Sequence, residues 1–223
     1  MKKTIAIIPA RGNSKRLKDK NTLSLNKIPL VAHSIIYAKK NSNIISDIYV
    51  TTDDPKIKKI ALEYGVNVID RPTELSGDFE PTISALQHAL STMEQEITNV
   101  ILLQPTNPLR PENLIQDCFE VFERLKLSSL FTVSQNHYKL GKIRDDKFFP
   151  FNYKVGQRSQ DMEALHFENG LLYIVSAKKI LEGEIITGDS FPFILDHIFA
   201  NVDIDHQEDL EYAQYIIQKY HNK

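Results

Sequence analysis

Residues 4–21 read TIAIIPARGNSKRLKDKN, an apolar run that passes without a break into a basic loop. TIAII (4–8) is short, β-branched and almost continuously hydrophobic, which suits a strand covered on both faces, as in a parallel sheet. Behind it, PARGNSKRLKDKN (9–21) carries Arg11, Lys15, Arg16, Lys18 and Lys20. In open α/β sheets ligands bind beyond the carboxyl ends of the strands, and this loop leaves its strand there. Gly12 permits a tight turn, arginine forks onto phosphate oxygens, and lysine supplies a mobile point charge. The loop therefore reads as an anion cradle, with a solvated surface loop as the alternative. It is neither a Walker loop, because GK[ST] is absent, nor G-x-G-x-x-G.

The totals make any such site local. The 223 residues carry a formal net charge of −2, so there is no global field for nucleic acid or an anionic membrane. Ordinary composition (42% hydrophobic, 25% charged) fits a globular protein, and the length allows one domain with an insertion. The single cysteine, Cys118, excludes an internal disulfide and fits a reducing compartment. The start MKKTIAIIPA is too briefly apolar for a secretion signal, and no run approaches the roughly 20 apolar residues of a bilayer span. A cytoplasmic location is expected.

Further strand-like runs are DIYVT (47–51), VNVID (66–70), NVILL (99–103), LLYIV (171–175) and IFANVDID (198–205). Helical spacing lies between them. In DDPKIKKIALEYG, Asp54 caps, Pro55 opens and Gly65 ends a helix whose stripe is Ile57, Ile60, Ala61 and Tyr64. In RPENLIQDCFEVFERL, Pro111 opens a helix with Leu114, Ile115, Cys118, Phe119, Phe122 and Leu125 on one face, so Cys118 reads as core. A last helix over about 206–220 buries Leu210, Ala213, Ile217 and Tyr220. This rhythm predicts an α/β fold with a largely parallel sheet and helices on both sides. It breaks near residue 135. Residues 136–168, aromatic and charged without a period, read as an excursion that makes a subunit contact within one domain spanning 1–223.

IIPARGNSKRLKDKN with the following IPLVAHSI resembles the N-terminal signature of the CMP-sialic acid synthetases, the acylneuraminate cytidylyltransferases. The resemblance continues in order through TDD (52–54), RPTELSGD (71–78), QPTNPLR (104–110), ENGLLYI (168–174) and DIDHQEDLEYA (203–213). It implies a Rossmann-like nucleotidyltransferase fold with a mixed sheet and a small excursion that helps form a homodimer. It also implies the reaction: the anomeric hydroxyl of a nine-carbon 2-keto sugar acid attacks the α-phosphorus of CTP, and pyrophosphate leaves. Such a transfer needs positioning, charge neutralisation and a metal, Mg²⁺, more than covalent catalysis.

The resemblance carries Arg11 and Lys20 to the phosphates, with Lys15 as a further candidate, and Asn21, Arg71 and Thr82 to the cytidine. Arg71 could instead pair with Asp70 or Glu74. In NVDID, a strand would turn Asp203 and Asp205 to one face, roughly 7 Å apart, where both could hold one hard cation. A helix cap is the other reading of Asp205. The family motif favours the metal, and Arg11, Lys20 and Asp205 are then the catalytic set. Asp209 reads as surface or cap. For the acceptor, Gln104 opens QPTNPLR at a strand end, while Asn107 and Arg110 organise the turn. Arg158 and Asn169 match family positions near the acceptor, and Tyr173 with Phe191 and Phe193 could line a pocket for an acyl group. The family's basic or tyrosyl residue before NG is replaced here by His166, Phe167 and Glu168. The acceptor carboxylate is then left to His166, or to Lys139 or Lys142 of a partner subunit.

Two rivals follow. A 3-deoxy-manno-octulosonate cytidylyltransferase shares the PAR loop but lacks the KN pair and the QPTNPLR block. A non-catalytic phosphate or nucleic-acid module is opposed by the net charge and by the carboxylate pair. Among acceptors, QPTNPLR and DID lean away from pseudaminate and leave neuraminate, its deaminated form and legionaminate open.

Overall fold

Alternation within TIAII places Ile5 and Ile7 on one face of a strand and Ala6 and Ile8 on the other, and all four are fully buried. A computed structural model describes residues 3–220. The chain runs through β1 (Thr4–Pro9), β2 (Ser24–Leu25), β3 (Ile28–Pro29), α1 (Leu30–Lys40), β4 (Asp47–Thr52), α2 (Pro55–Glu63), β5 (Asn67–Asp70), α3 (Thr82–Ser91) and β6 (Asn99–Leu102). It continues with α4 (Leu114–Leu125), β7 (Ser129–Gln135), β8 (Gly141–Arg144), β9 (Lys147–Pro150), β10 (His166–Ser176), α5 (Ala177–Leu181), β11 (Phe191–Ile194) and α6 (Gln207–Tyr220).

Seven strands form one sheet in the order β11-β7-β10-β6-β1-β4-β5. The β6-β1, β1-β4, β4-β5 and β11-β7 pairs are parallel, and β10 is antiparallel to both its neighbours. This is the expected mixed, mostly parallel sheet. Ala6, Ile8, Val50 and Ile101 meet residues of α1, α2 and α4 on one side. Ile5, Ile7, Val100, Leu102 and Val175 meet α3 and α5 on the other. A third cluster seats α6 through Ala213, Ile216 and Ile217 on Leu25, Leu30, Val202 and Ile204. The chain leaves β1 for β4 on one flank and returns to β6 on the other, so the basic loop lies at the sheet's switch point.

Local chemistry sets the boundaries. The Asp54 carboxylate accepts from the N–H groups of Lys56 and Ile57, Pro55 occupies the first turn, and Gly65 follows α2 at φ 63°. In α4 Leu114, Ile115, Cys118 and Phe122 of the predicted face are buried, Phe119 is half-buried and Leu125 is 48% exposed at the helix end; burial raises the Cys118 thiol pKa. Strands β7 and β11 and the β8–β9 hairpin were not anticipated, and the hairpin forms its own two-stranded sheet within the 136–168 excursion.

One expectation fails. Residues 198–205 are not a strand: Ile198–Asn201 is a 3-10 turn and the following residues join no ladder. The extended alternation survives without a sheet partner, because Val202 and Ile204 are drawn into the core beneath α6. The Ile204 N–H donates to the Thr106 carbonyl at 2.8 Å, and Asn107 Nδ2 donates to the Val202 carbonyl at 3.1 Å. These bonds dock the DID segment on the QPTNPLR turn.

That turn is clamped by Arg110, buried without a carboxylate partner. Its Nε donates to the Leu171 carbonyl (2.6 Å), Nη1 to Ser34 Oγ (3.1 Å) and Nη2 to the Gln104 carbonyl (2.8 Å). The guanidinium lies 5.7 Å from the centre of the Tyr37 ring. Burial lowers its pKa to about 10, so it stays charged at neutral pH, and burial pushes the Tyr37 hydroxyl up to about 12. Arg110→Ala should cost about 3–5 kcal/mol in denaturant unfolding, because two buried carbonyls lose their donor. Arg110→Lys, which lacks the fork, should fail to restore it.

Candidate active site

The parallel strands deliver residues one or two past their ends to one edge: Arg11 after β1, Asp53 after β4, Arg71 after β5 and Gln104 after β6. Asp53 accepts the Gly12 N–H at 2.9 Å and pins the start of the basic loop. A Cβ on Gly12 would fall 2.6 Å from an Asp54 carboxylate oxygen, so the turn has room only for glycine. The end of the loop folds back, with Asn21 Nδ2 donating to the Arg11 carbonyl at 2.9 Å.

Arg11, Lys20, Asn21, Arg71, Thr82 and Gln104 line one cleft of about 240 Å³, together with Asp78, Glu80 and Thr106. Six residues singled out from sequence are thus brought together. Arg71 does not pair as its alternative reading allowed, since Asp70 binds Lys58 at 2.7 Å. Only 8% exposed, its guanidinium leaves Nε and Nη2 without a hydrogen-bond partner. Burial lowers its pKa, with the Asp53 charge opposing the shift. Buried, unpaired N–H donors facing a cleft are groups a ligand can satisfy.

The carboxylate pair faces the same loop. Asp205 accepts from Lys20 Nζ at 2.9 Å and Arg16 Nη1 at 2.7 Å. Asp205 spends both carboxylate oxygens on these cations rather than on helix N–H groups, while Asp209, in the first turn of α6, reaches back to accept the Asp205 and His206 N–H groups at 2.9 and 2.7 Å. Burial and the neighbouring Asp205 charge raise the Asp203 pKa, against the hydrogen bond from the Thr106 hydroxyl and the charge of Lys20. Two hard carboxylates that raise each other's cost of ionisation are a fitting donor set for a divalent ion. Among the described residues no group of three or more acidic, histidine or cysteine side chains could hold a metal, so an ion here would complete its shell from outside the protein.

A second, larger cleft of about 730 Å³ adjoins the first through Gln104 and is lined by Asn169, Tyr173, Asp203, Glu168, Tyr138 and Tyr212 among others. Tyr173 donates to Glu168 Oε2 at 3.2 Å, and burial raises its pKa. Asn169 lies in the wall, but its side chain holds a bulge in β10: Oδ1 accepts from Thr132 Oγ1 (2.5 Å) and the Leu171 N–H (3.2 Å), and Nδ2 donates to Ser134 Oγ (3.0 Å). Its role is therefore mainly to shape the cleft. Gly170, at φ 72°, lets the bulge approach Asn107.

Arg158 does not reach the acceptor position within its own chain. It lines neither cleft there, is 71% exposed at its side chain, and pairs with Asp161 three residues along at 2.7 Å. Phe191 and Phe193 pack on the core beside α4 rather than into the acceptor cleft, because β11 joins the far edge of the sheet. Lys139 stacks 5.1 Å from the Tyr153 ring and Lys142 5.5 Å from the Phe151 ring; neither lines the cleft of its own chain, nor does His166. The cleft residues missed from sequence, Tyr138, Phe167 and Tyr212, come from three distant segments with no shared motif. Asp78 stood inside the quoted RPTELSGD block, but its contact with the basic loop had no sequence signal.

A cytidylyltransferase family model matches residues 5–219. Among similar proteins, a Campylobacter jejuni pseudaminic acid cytidylyltransferase is 31% identical over 98% of both chains. An Escherichia coli N-acylneuraminate cytidylyltransferase is 33% identical over 97% of this chain, which spans 52% of that protein. A Legionella pneumophila CMP-N,N'-diacetyllegionaminic acid synthase is 33% identical over 90% of each. These identities do not separate the three acids, so the lean away from pseudaminate gains no support. A solved CMP:2-keto-3-deoxy-manno-octonic acid synthetase complexed with CTP superposes with a TM-score of 0.72 over 97% of this chain and 99% of its own, and at 16% identity it shows the fold alone. A strand-end cation cradle, a neighbouring acidic pair and a family match over nearly the whole length agree: this chain belongs to the cytidylyltransferase family and is a cytidylyltransferase.

Proposed function

We propose that the enzyme transfers CMP from CTP to the anomeric hydroxyl of a sialic-acid-type nonulosonic acid, releasing pyrophosphate. One observation carries this reading: two clefts share the Gln104 wall, with Lys20 lining the smaller and Asp203 the larger. The smaller cleft takes the nucleotide, with Asn21, Arg71 and Thr82 around the cytidine and Arg11, Lys15 and Lys20 on the phosphates. The larger takes the acceptor against Gln104, Asn169 and Tyr173. Attack forms a bond from the acceptor oxygen to the α-phosphorus and breaks the bond to the β-phosphate bridge oxygen. Lys20, 9% exposed, places fixed charge where the α-phosphate becomes more negative, in a site partly closed to water. Asp203 and Asp205 would hold Mg²⁺, which when bound draws charge from the phosphate oxygens. A cytoplasmic location fits the single cysteine and the use of CTP.

The acceptor is an acid, yet Glu168 and Asp203 line its cleft and neither lysine nor arginine is among the residues that line it. The missing cation comes from a second copy. The β8–β9 excursion leaves Ile143 77%, Phe148 54%, Phe151 63% and Val155 86% exposed, a patch that an isolated two-stranded hairpin cannot keep in water at no cost. A homodimer covers it and brings Lys139, Lys142 or Arg158 to the partner's cleft.

A panel of nonulosonic acids, assayed for CTP-dependent pyrophosphate release with and without Mg²⁺, tests the whole reading; turnover is expected with a nine-carbon acid in Mg²⁺ only, and activity confined to the eight-carbon acid would overturn it. Lys20→Ala should lower kcat by about 10²-fold or more while the melting curve stays cooperative; a near-normal rate would remove Lys20 from the phosphates. Ile143→Asp should shift the protein from dimer to monomer in sedimentation and raise the KM for the acceptor more than that for CTP. A dimer that persists unchanged would exclude the hairpin from the interface.

A further inference from the structure

Four cations of the basic loop, Arg11, Lys15, Arg16 and Lys20, are already occupied by two carboxylates. Asp205 holds Arg16 and Lys20, as described. On the other side Asp78 faces Lys15 at 2.5 Å through Oδ2 and Arg11 at 3.2 Å through Oδ1, while Arg11 Nη1 also donates to the Gly77 carbonyl at 2.6 Å. Asp78 lines the nucleotide cleft beside Arg71 and Lys20. A triphosphate approaching Arg11 and Lys15 must meet this carboxylate, which competes for the same donors and repels the same ligand.

The segment that carries Asp78 is built to give way. Ser76 is buried and anchored, its hydroxyl donating to the Pro72 carbonyl at 3.1 Å. Beyond it residues 77–81 are exposed, and Phe79 is 98% exposed, so apolar packing of that ring does not hold the segment down. Its grip on the basic loop is polar and exchangeable. The Lys15 hydrogen bond, with both neighbouring cations, keeps the Asp78 pKa below the usual carboxylate range, so the stand-in anion is present throughout neutral pH.

We propose that Asp78 is a further functional residue of the nucleotide site: it holds Arg11 and Lys15 while the site is empty, yields them to the triphosphate of CTP, and recaptures them as pyrophosphate leaves. The exchange keeps the cradle ordered between turnovers and lowers the affinity for the polyanionic product, so that release does not stall. It rests on the phosphate reading of Arg11 and Lys15 and not on which acid is the acceptor.

Calorimetric titration of inorganic pyrophosphate in Mg²⁺ buffer, with no acceptor present, tests it. Asp78→Asn should bind pyrophosphate about twofold to fivefold tighter than wild type, the scale expected for removing one exposed competing charge pair. Asp78→Glu, which keeps the charge, should stay near wild type. In steady state Asp78→Asn should show a lower KM for CTP, stronger pyrophosphate inhibition and a reduced kcat, a split that a loosened fold would not produce. Equal or weaker pyrophosphate binding by Asp78→Asn overturns the exchange. Arg11→Ala should lose pyrophosphate affinity; its retention would instead overturn the phosphate reading from which the exchange follows.

Discussion

The contact between Lys20 and Asp205 joins residues 185 positions apart and sets how the rest of the site is arranged. A basic loop at a strand end repels itself, and an acidic pair beside a helix start does the same. Brought together, each neutralises the other. The structure reaches this contact through apolar work elsewhere. Val202 and Ile204 sink beneath α6, which leaves Asp203 and Asp205 projecting toward the loop. The Thr106 and Asn107 bonds then fix that segment against the turn after β6. Core packing thus positions the charges, and the charges need little further support.

The same logic explains why the clefts are polar and the scaffold behind them is not. Parallel strands covered on both faces have no free surface except at their ends, so the residues just past β1, β4, β5 and β6 converge on one edge. Burying arginine there is costly, and the chain meets the cost in two ways. Arg110 satisfies its donors on backbone carbonyls and a hydroxyl and becomes a strut. Arg71 leaves two nitrogens unpartnered and becomes a receptor. One side chain chemistry gives structure or binding according to whether its partners lie inside the protein.

Charge balance also divides the two clefts. The smaller cleft is lined by Arg11, Lys20 and Arg71 against Asp78 and Glu80, an excess of cations that suits the polyanion proposed for it. The larger cleft is acidic in the single chain, which is why the proposed acceptor binding calls on a second copy.

Much of this was legible in the amino-acid order. TIAII and NVILL are apolar at every position after the first because both faces of the sheet are covered, and Asp54-Pro55 with Gly65 bounds α2 by chemistry local to those residues. The basic loop and the acid pair are each also written in contiguous residues. Tertiary structure alone decided the rest. NVDID alternates like a strand, yet whether a strand forms depends on a neighbour to pair with, and Ile204 finds the Thr106 carbonyl of a turn instead. Asn169 became a bulge strut through Thr132 and Ser134, Arg158 turned to Asp161, and Asp78 met Arg11 and Lys15. Strand and helix periodicities are set within a few residues and can be read there; which charge meets which is set by loops that meet only after the sheet has assembled.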